Sequence, residues 1–294
     1  MPSTEIQWFP GHMAKTRRLI KENLPCVDIV IELLDARIPY SSKNPEIAGL
    51  CGSRPILTVF TKSSLADPKV NDDWIAYYKA AGLHPLFVDC KTGENISLIG
   101  KEIKEILKDK IERNKQKGMI GKRLRAMIVG IPNVGKSTLI NRLSGAAKAK
   151  AEDRPGVTQN KQWVSTSIGI DLLDTPGVLW PKFEDRTVGQ HLAAVGSIKD
   201  EILDTEDIAS TLCADLRDIC PALLCARYKL DAATVKDLDG RRLFEAIGRK
   251  RGFLIPGGEI DVQRTASTIL DEFRHVKIGR ISLERPPRKD GTDA

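Results

Sequence analysis

The sequence predicts an α/β chain in two parts: a doubly wound, mostly parallel sheet with helices on both faces, then a smaller all-α C-terminal domain. Three observations carry this expectation. Near-continuous Val/Ile/Leu runs of strand length alternate with helix-like segments up to about residue 182. A glycine-rich turn joins one of those runs to a helix, as in parallel α/β units. Beyond about Asp185 the strand-like runs stop and only helical segments follow.

Taken in chain order, CVDIVIELLD (26–35) is the first buried strand and PILTVFTK (55–62) the second. DPKVNDDWIAYYKAAG (67–82) is a helix, HPLFVD (84–89) a short third strand, and NISLIGKEIKEILKDKIERN (95–114) a long helix. LRAMIVG (124–130) is the fourth strand, and STLINRLSG (137–145) the helix after it. VSTSIGIDLLD (164–174) reads as a hairpin or two short strands ending on an acid. The helical region is punctuated at Pro221, at Gly240 and at Pro256-Gly257-Gly258, so the expected domains are 1–182 and 183–294.

Composition bounds the function. With 294 residues, 41% hydrophobic and 29% charged, the chain is globular and neither fibrous nor disordered. No apolar run reaches the roughly 18–20 residues that span a bilayer, so no membrane partner is expected. The opening MPSTEIQWFPGHMAK has neither the apolar core of a secretory signal nor the composition of a transit peptide. Six cysteines form no CxxC pair and no zinc spacing, which reads as thiols in a reducing compartment. A cytoplasmic protein, by default a monomer, is expected. The net charge is +7, and its placement is uneven. Residues 101–125 hold ten Lys/Arg against four Asp/Glu, and residues 241–289 hold twelve against six. Segregated basic surface suggests a polyanionic partner, nucleic acid first.

The chemistry lies in Gly130-Ile131-Pro132-Asn133-Val134-Gly135-Lys136-Ser137, with Thr138 following. This is GxxxxGK[ST] after a strand and before a helix, the context the motif requires. Glycines let backbone N–H groups converge on phosphate oxygens, and the helix N-terminus adds positive potential. Lys136 is placed to reach the β- and γ-phosphates and the Ser137 hydroxyl to ligate Mg²⁺. Downstream, Asp174-Thr175-Pro176-Gly177 puts an acid at a strand end and a glycine after it, suited to a Mg²⁺-shell carboxylate and an N–H facing the γ-phosphate. Between them, Arg154-Pro155-Gly156-Val157-Thr158 supplies a loop threonine that could complete the metal shell. This is a nucleoside triphosphate site.

NVGKST, PGVT and DTPG resemble a translation-factor-class GTPase, yet no base-reading motif follows Gly177. Candidates lie upstream, at Thr61-Lys62-Ser63-Ser64 and Asp89-Cys90-Lys91-Thr92-Gly93, each after a strand. That order resembles the circularly permuted GTPases. WFPGHMAK, DARIP (35–39) and GGEID…DEFRHVKIGRISLE narrow the resemblance to the ribosome biogenesis GTPase A (YlqF/RbgA) family, over about Trp8 to Glu284. The resemblance implies a P-loop GTPase fold, Mg²⁺-dependent GTP binding, slow intrinsic hydrolysis to GDP, and a role in late assembly of the large (50S) ribosomal subunit. It also implies that the helical domain contacts ribosomal RNA.

Carried over residue by residue, it places nucleotide contacts on Thr61, Lys62, Ser63, Ser64, Asp89, Cys90, Lys91, Asn133 to Thr138 and Gly177. Mg²⁺ ligands fall on Ser137, Thr158 and Asp174, and a K⁺ ligand on Asn133; the catalytic set is His12, Lys136 and Thr158. The base-reading box departs from the family's Asn-Lys-x-Asp, with Thr61 and Ser64 at the first and last positions. A neutral serine accepts more weakly than a bidentate carboxylate, so GTP binding with blunted purine discrimination is expected. Val178 and Leu179 occupy the place of a water-orienting glutamine. His12 of FPGHM is the family's alternative, the other reading being that it organises the N-terminal segment. Trp8, Phe9, Lys15, Arg17 and Arg18 around it could stack on bases or grip phosphate, or could simply pack. Arg249, Lys250, Arg251, Arg274, Lys277 and Arg280 are the expected rRNA contacts. A nucleotide-binding RNA scaffold with little turnover is the rival reading.

Overall fold

The computed structural model describes residues 10–145, 162–175, 177, 179–180, 183 and 185–287, with side chains of 10–16 and 162 excepted. Helix α1 (Pro10–Asn23) leads into strand β1 (Ile29–Asp35), helix α2 (Glu46–Cys51) and strand β2 (Ile56–Thr61). Helix α3 (Pro68–Ala80) follows, capped by Asp67, whose carboxylate accepts the Lys69 N–H. Then come β3 (Leu86–Phe87), α4 (Ile96–Ile106), α5 (Lys108–Gln116), β4 (Leu124–Gly130) and α6 (Lys136–Ser144). The hairpin β5 (Gln162–Ser165) and β6 (Ile170–Asp174) completes the sheet. Six helices follow: α7 (Arg186–Ala194), α8 (Thr205–Ile219), α9 (Pro221–Tyr228), α10 (Ala232–Asp237), α11 (Gly240–Lys250) and α12 (Val262–Arg274).

The strands described lie in the order β3-β2-β1-β4-β6-β5, all parallel except the β5–β6 pair. The expected parallel sheet is therefore present, with the 164–174 stretch resolved as an antiparallel hairpin. Alternation along β1 explains the two covered faces. Ile29, Ile31 and Leu33 pack with α4 and α6 residues such as Ile99, Ile103, Leu139 and Leu143. Val30 faces the other way, against Ile20 of α1 and Ile47 of α2, and Leu34 packs with Val70 and Trp74 of α3. The expected single helix at 95–114 is two, broken at Leu107, a buried residue outside helical geometry. The helical region is broken at Pro221 and at Gly240 as expected, since these residues begin α9 and α11. The 256–258 turn lies inside an isolated Leu254–Ile260 bridge.

The helical part shares an apolar core with the sheet. After α12 the chain runs back over the C-terminal edge of the strands. There the Leu283 N–H donates to the Arg37 carbonyl (2.9 Å) and the Ile281 N–H to the Leu65 carbonyl (3.2 Å). The Glu284 carboxylate accepts the Tyr40 N–H at 2.7 Å and lies 2.8 Å from His191 Nδ1 on α7. One short segment thus ties the loop after β1, the turn after β2 and α7 together at the edge where the sequence places its motifs.

Candidate nucleotide site

In a parallel sheet every strand delivers its last residue to the same edge. Here that edge collects Asp35 from β1, Thr61 from β2, Asp89 from the loop after β3, Gly130 from β4 and Asp174 from β6. Motifs that sit 70 residues apart in sequence become neighbours because β1 lies between β2 and β4. The direct link is Thr61: its buried hydroxyl donates to the Val134 carbonyl of the P-loop at 2.6 Å, with the Leu34 carbonyl at 3.1 Å. The two halves of the permuted site are hydrogen-bonded to each other.

The phosphate cradle takes its shape from backbone conformation. Asn133 and Gly135 have φ of 56° and 105°, the left-handed region that lets the loop close before α6 begins at Lys136. A Cβ on Gly130 would lie 2.7 Å from the Leu33 carbonyl, and one on Gly177 2.8 Å from Pro132 backbone atoms, so both positions require glycine. Ser137 and Thr138 occupy the first turn of α6, and Val134 is fully buried beneath the loop. Lys136 is buried and folds onto the loop, donating to the Ile131 carbonyl (2.8 Å) and the Gly130 carbonyl (3.3 Å). Its burial lowers the ammonium to about 8, with Asp174 opposing and Lys62 adding to the shift. Asp174 is pushed above the usual carboxylate range by burial, against the pull of Lys136. One of its oxygens, Oδ1, is buried without a hydrogen-bond partner. The neighbouring Thr175 hydroxyl donates to the Ile128 carbonyl (2.5 Å) and fixes the exit of β6 against β4.

An orphaned buried carboxylate oxygen fits Mg²⁺, which binds hard oxygen ligands and takes several from phosphate. Among the described residues no group of three His, Cys, Asp or Glu could hold a metal by itself. The side chain of Asn133, the K⁺ candidate, donates from Nδ2 to the Gly196 carbonyl (2.8 Å); an amide ligates a cation through its oxygen, here Oδ1. Thr158 lies outside the described residues, as does the side chain of His12, whose backbone is in α1.

The side where the sequence expects the base to be read carries an ion-pair cluster centred on Asp35. Burial works against its charge, but the Arg37 guanidinium and the Lys62 ammonium hold its carboxyl well below the usual range. Arg37 binds it through Nε (2.9 Å) and Nη2 (2.8 Å), and Lys62 through Nζ (2.9 Å). Lys62 sits at φ 59° at the end of β2 and is thereby aimed across the edge. Ser63 is buried, and its carbonyl accepts from Arg280 at 3.0 Å. The Ser64 hydroxyl donates to Asp89 Oδ2, while Asp89 Oδ1 accepts the Lys91 N–H (2.7 Å) and Thr92 N–H (2.8 Å). Cys90 is buried, which raises its thiol to about 12 and keeps it neutral.

The six cations expected at RNA divide. Arg249 and Lys250 are exposed at the end of α11. The others have intramolecular work. Arg251 joins Arg227 on Glu272, Lys277 pairs with Asp271 at 2.8 Å, and Arg274 holds Asp200 (2.7 Å) and the Ala193 and Ala194 carbonyls. Arg280 donates to the Ala66 carbonyl (2.9 Å) besides that of Ser63, bracing the base-reading turn. Sequence reasoning missed this brace, and it gave no role to Asp35 and Arg37, because each acts across more than 20 residues or through burial that spacing does not reveal.

Residues 125–225 match the 50S ribosome-binding GTPase family, a range that starts on β4 and so omits both upstream motifs. Over 282 residues the chain is 48% identical to ribosome biogenesis GTPase A of Priestia megaterium, covering 96% of this chain and 97% of that protein. It is 30% identical over 283 residues to the Thermotoga maritima protein of the same name, covering 96% and 95%. Among solved structures, GNP-bound YlqF from T. maritima superposes with a TM-score of 0.62 at 27% identity, covering 92% of this chain and 98% of that one. A GDP-bound YlqF structure gives 0.64, covering 92% and 99%.

Proposed function

This chain belongs to the ribosome biogenesis GTPase A family, and from that premise we propose how its site works: GTP occupies the edge formed by the P-loop, DTPG, the 61–64 turn and the 89–91 turn. The chain is a GTPase of ribosome assembly. The observation that supports the site reading is the Thr61–Val134 bond, which joins the turn after β2 to the loop before α6. We take 1–182 as the GTPase domain and 183–294 as the RNA-facing helical domain.

Lys136 exchanges its loop carbonyls for phosphate oxygens, which are better partners for an ammonium. Mg²⁺ would be held by Ser137 and Asp174 with Thr158, neutralising charge on the transferred phosphoryl group. K⁺ would sit on Asn133 Oδ1 and supply positive charge where other GTPases use an arginine. The Gly177 N–H faces the γ-phosphate, and His12 positions the attacking water. GTP then orders the segments around Thr158 and Gly177, and hydrolysis releases them, switching affinity for the large-subunit precursor and its rRNA. Arg249 and Lys250 support the RNA role best, being exposed; the other four cations would act through the positions they hold. No helix among the described residues is long and apolar enough to cross a membrane. We propose a cytoplasmic monomer.

Co-sedimentation with large-subunit particles tests this reading. More protein should pellet with a non-hydrolysable GTP analogue than with GDP, and equal pelleting would refute the switch. The rival scaffold reading predicts that equality together with negligible turnover.

A further inference from the structure

The site described above contains a carboxylate that the base-reading box by itself lacks. Asp89 is buried to 2% exposure at the start of the loop after β3, 25 residues from Ser64 in sequence, and the two side chains are hydrogen-bonded. The bond has only one possible polarity when Asp89 is ionised. A carboxylate has no hydrogen to give, so the Ser64 O–H donates and its single hydrogen is used. Burial opposes that ionisation, but the Ser64 hydroxyl and the Thr92 and Lys91 N–H groups prevail and hold the carboxyl below its ordinary value. Asp89 is also saturated on its other side, since Oδ1 takes the two backbone N–H groups. It cannot turn toward a base without losing them.

We propose that Ser64 and Asp89 form one base-reading unit, in which Asp89 fixes the serine hydroxyl as a one-way acceptor and Ser64 Oγ meets the N1–H edge of a 6-oxopurine. A free serine would offer a donor or an acceptor as the base required, and would discriminate little. A serine whose hydrogen is held by a carboxylate presents lone pairs only, and the charge behind it strengthens them. Beside it, the Cys90 N–H makes no hydrogen bond among the described residues. An acceptor next to a donor matches guanine or hypoxanthine, with N1–H and O6. Adenine presents the reverse pattern, an N1 lone pair and an N6 amine, and leaves both groups facing like partners.

This assignment rests on the nucleotide reading above and gives the expected discrimination a sharper form. Adenine is rejected, while the 2-amino group of guanine is read weakly, because one neutral oxygen must serve both N–H groups. GTP and ITP should therefore bind within about threefold of each other, and ATP at least tenfold more weakly.

The test is titration of GTP, ITP and ATP into the full chain and into D89N, S64A and the exchange variant S64D/D89S, with Mg²⁺ present. An amide at position 89 can donate to Ser64 and release its hydrogen, so D89N should lower the GTP/ATP affinity ratio at least fivefold. S64A should lower it similarly. The exchange variant restores a charged acceptor at 64 held by a serine at 89, and should raise the GTP/ITP ratio at least fivefold. An unchanged GTP/ATP ratio in D89N and S64A would overturn the unit. So would an exchange variant that fails to gain preference for GTP over ITP, which covers the case where a single variant does not fold. Failure of the unaltered chain to bind any of the three would overturn the nucleotide reading itself, a different result from binding with unmoved ratios.

Discussion

Replacing Thr61 with valine tests whether the two halves of the site are mechanically one. The substitution keeps the shape of the side chain and removes only the hydroxyl that donates to the Val134 carbonyl at 2.6 Å. Thr61 is fully buried, so no water replaces the lost donor and the P-loop carbonyl is left unsatisfied. Stranding a buried acceptor costs about 1–3 kcal/mol. In a chain of this size each kcal/mol moves the melting temperature by roughly 2–4 °C. If the bond holds the P-loop in its binding conformation, the same energy appears as nucleotide affinity weakened by about 5- to 150-fold. Thr61→Ser, which keeps the donor, should bind like the unaltered chain. Calorimetric titration with GTP beside a thermal melt separates the outcomes. A lower melting temperature with unchanged GTP affinity would show that the bond merely supports the fold, and would refute the coupling.

Other perturbations have equally definite outcomes. Gly177→Ala brings its Cβ within 2.8 Å of Pro132 backbone atoms, so GTP should lose affinity relative to GDP, read as a fall of at least tenfold in the GDP/GTP ratio of Kd values. Because burial lowers Lys136 to about 8 and phosphate would raise it again, binding takes up a proton above that pH. GTP affinity should then fall by up to tenfold per pH unit above pH about 8, and Lys136→Met should abolish that slope along with most of the affinity. Asp174→Asn should raise the Mg²⁺ concentration needed for half-maximal GTP binding at least tenfold, since a neutral amide replaces the carboxylate with the orphaned oxygen. Asp35→Asn leaves Arg37, only 2% exposed, without its counter-charge, and should cost about 3–5 kcal/mol by urea unfolding. Asp35 has a depressed pKa, so its contribution is present above the ordinary value of 3.8 and lost as pH falls below it. The difference between the two proteins should shrink in acid.

Much of this was legible in the residues themselves. IVIELLD, ILTVFT and LRAMIVG are apolar enough to be buried on both sides, and only a parallel sheet does that over so many strands. The P-loop was readable because its glycines, lysine and serine are each required by phosphate at fixed spacing. Helix α1 was not, since PGHMAKTRRLIKEN is polar and sets few apolar residues at helical spacing. The break at Leu107 has no glycine or proline to announce it. Ser64 read alone looked like a loss of chemistry, because its partner Asp89 follows a different strand and only the β2–β3 pairing brings the two loops together. Arg274 and Arg280 looked like surface cations for the same reason, as their acceptors lie 74 to 217 residues away.

The proposed switch requires a GTP site that works in concert with the particle the protein helps to assemble. Steady-state GTP hydrolysis, measured with Mg²⁺ in potassium buffer with and without purified large ribosomal subunits, tests that most directly. Slow turnover alone and at least tenfold stimulation by the subunits are expected. The same rate in both conditions, or stimulation by small subunits alone, would contradict the switch.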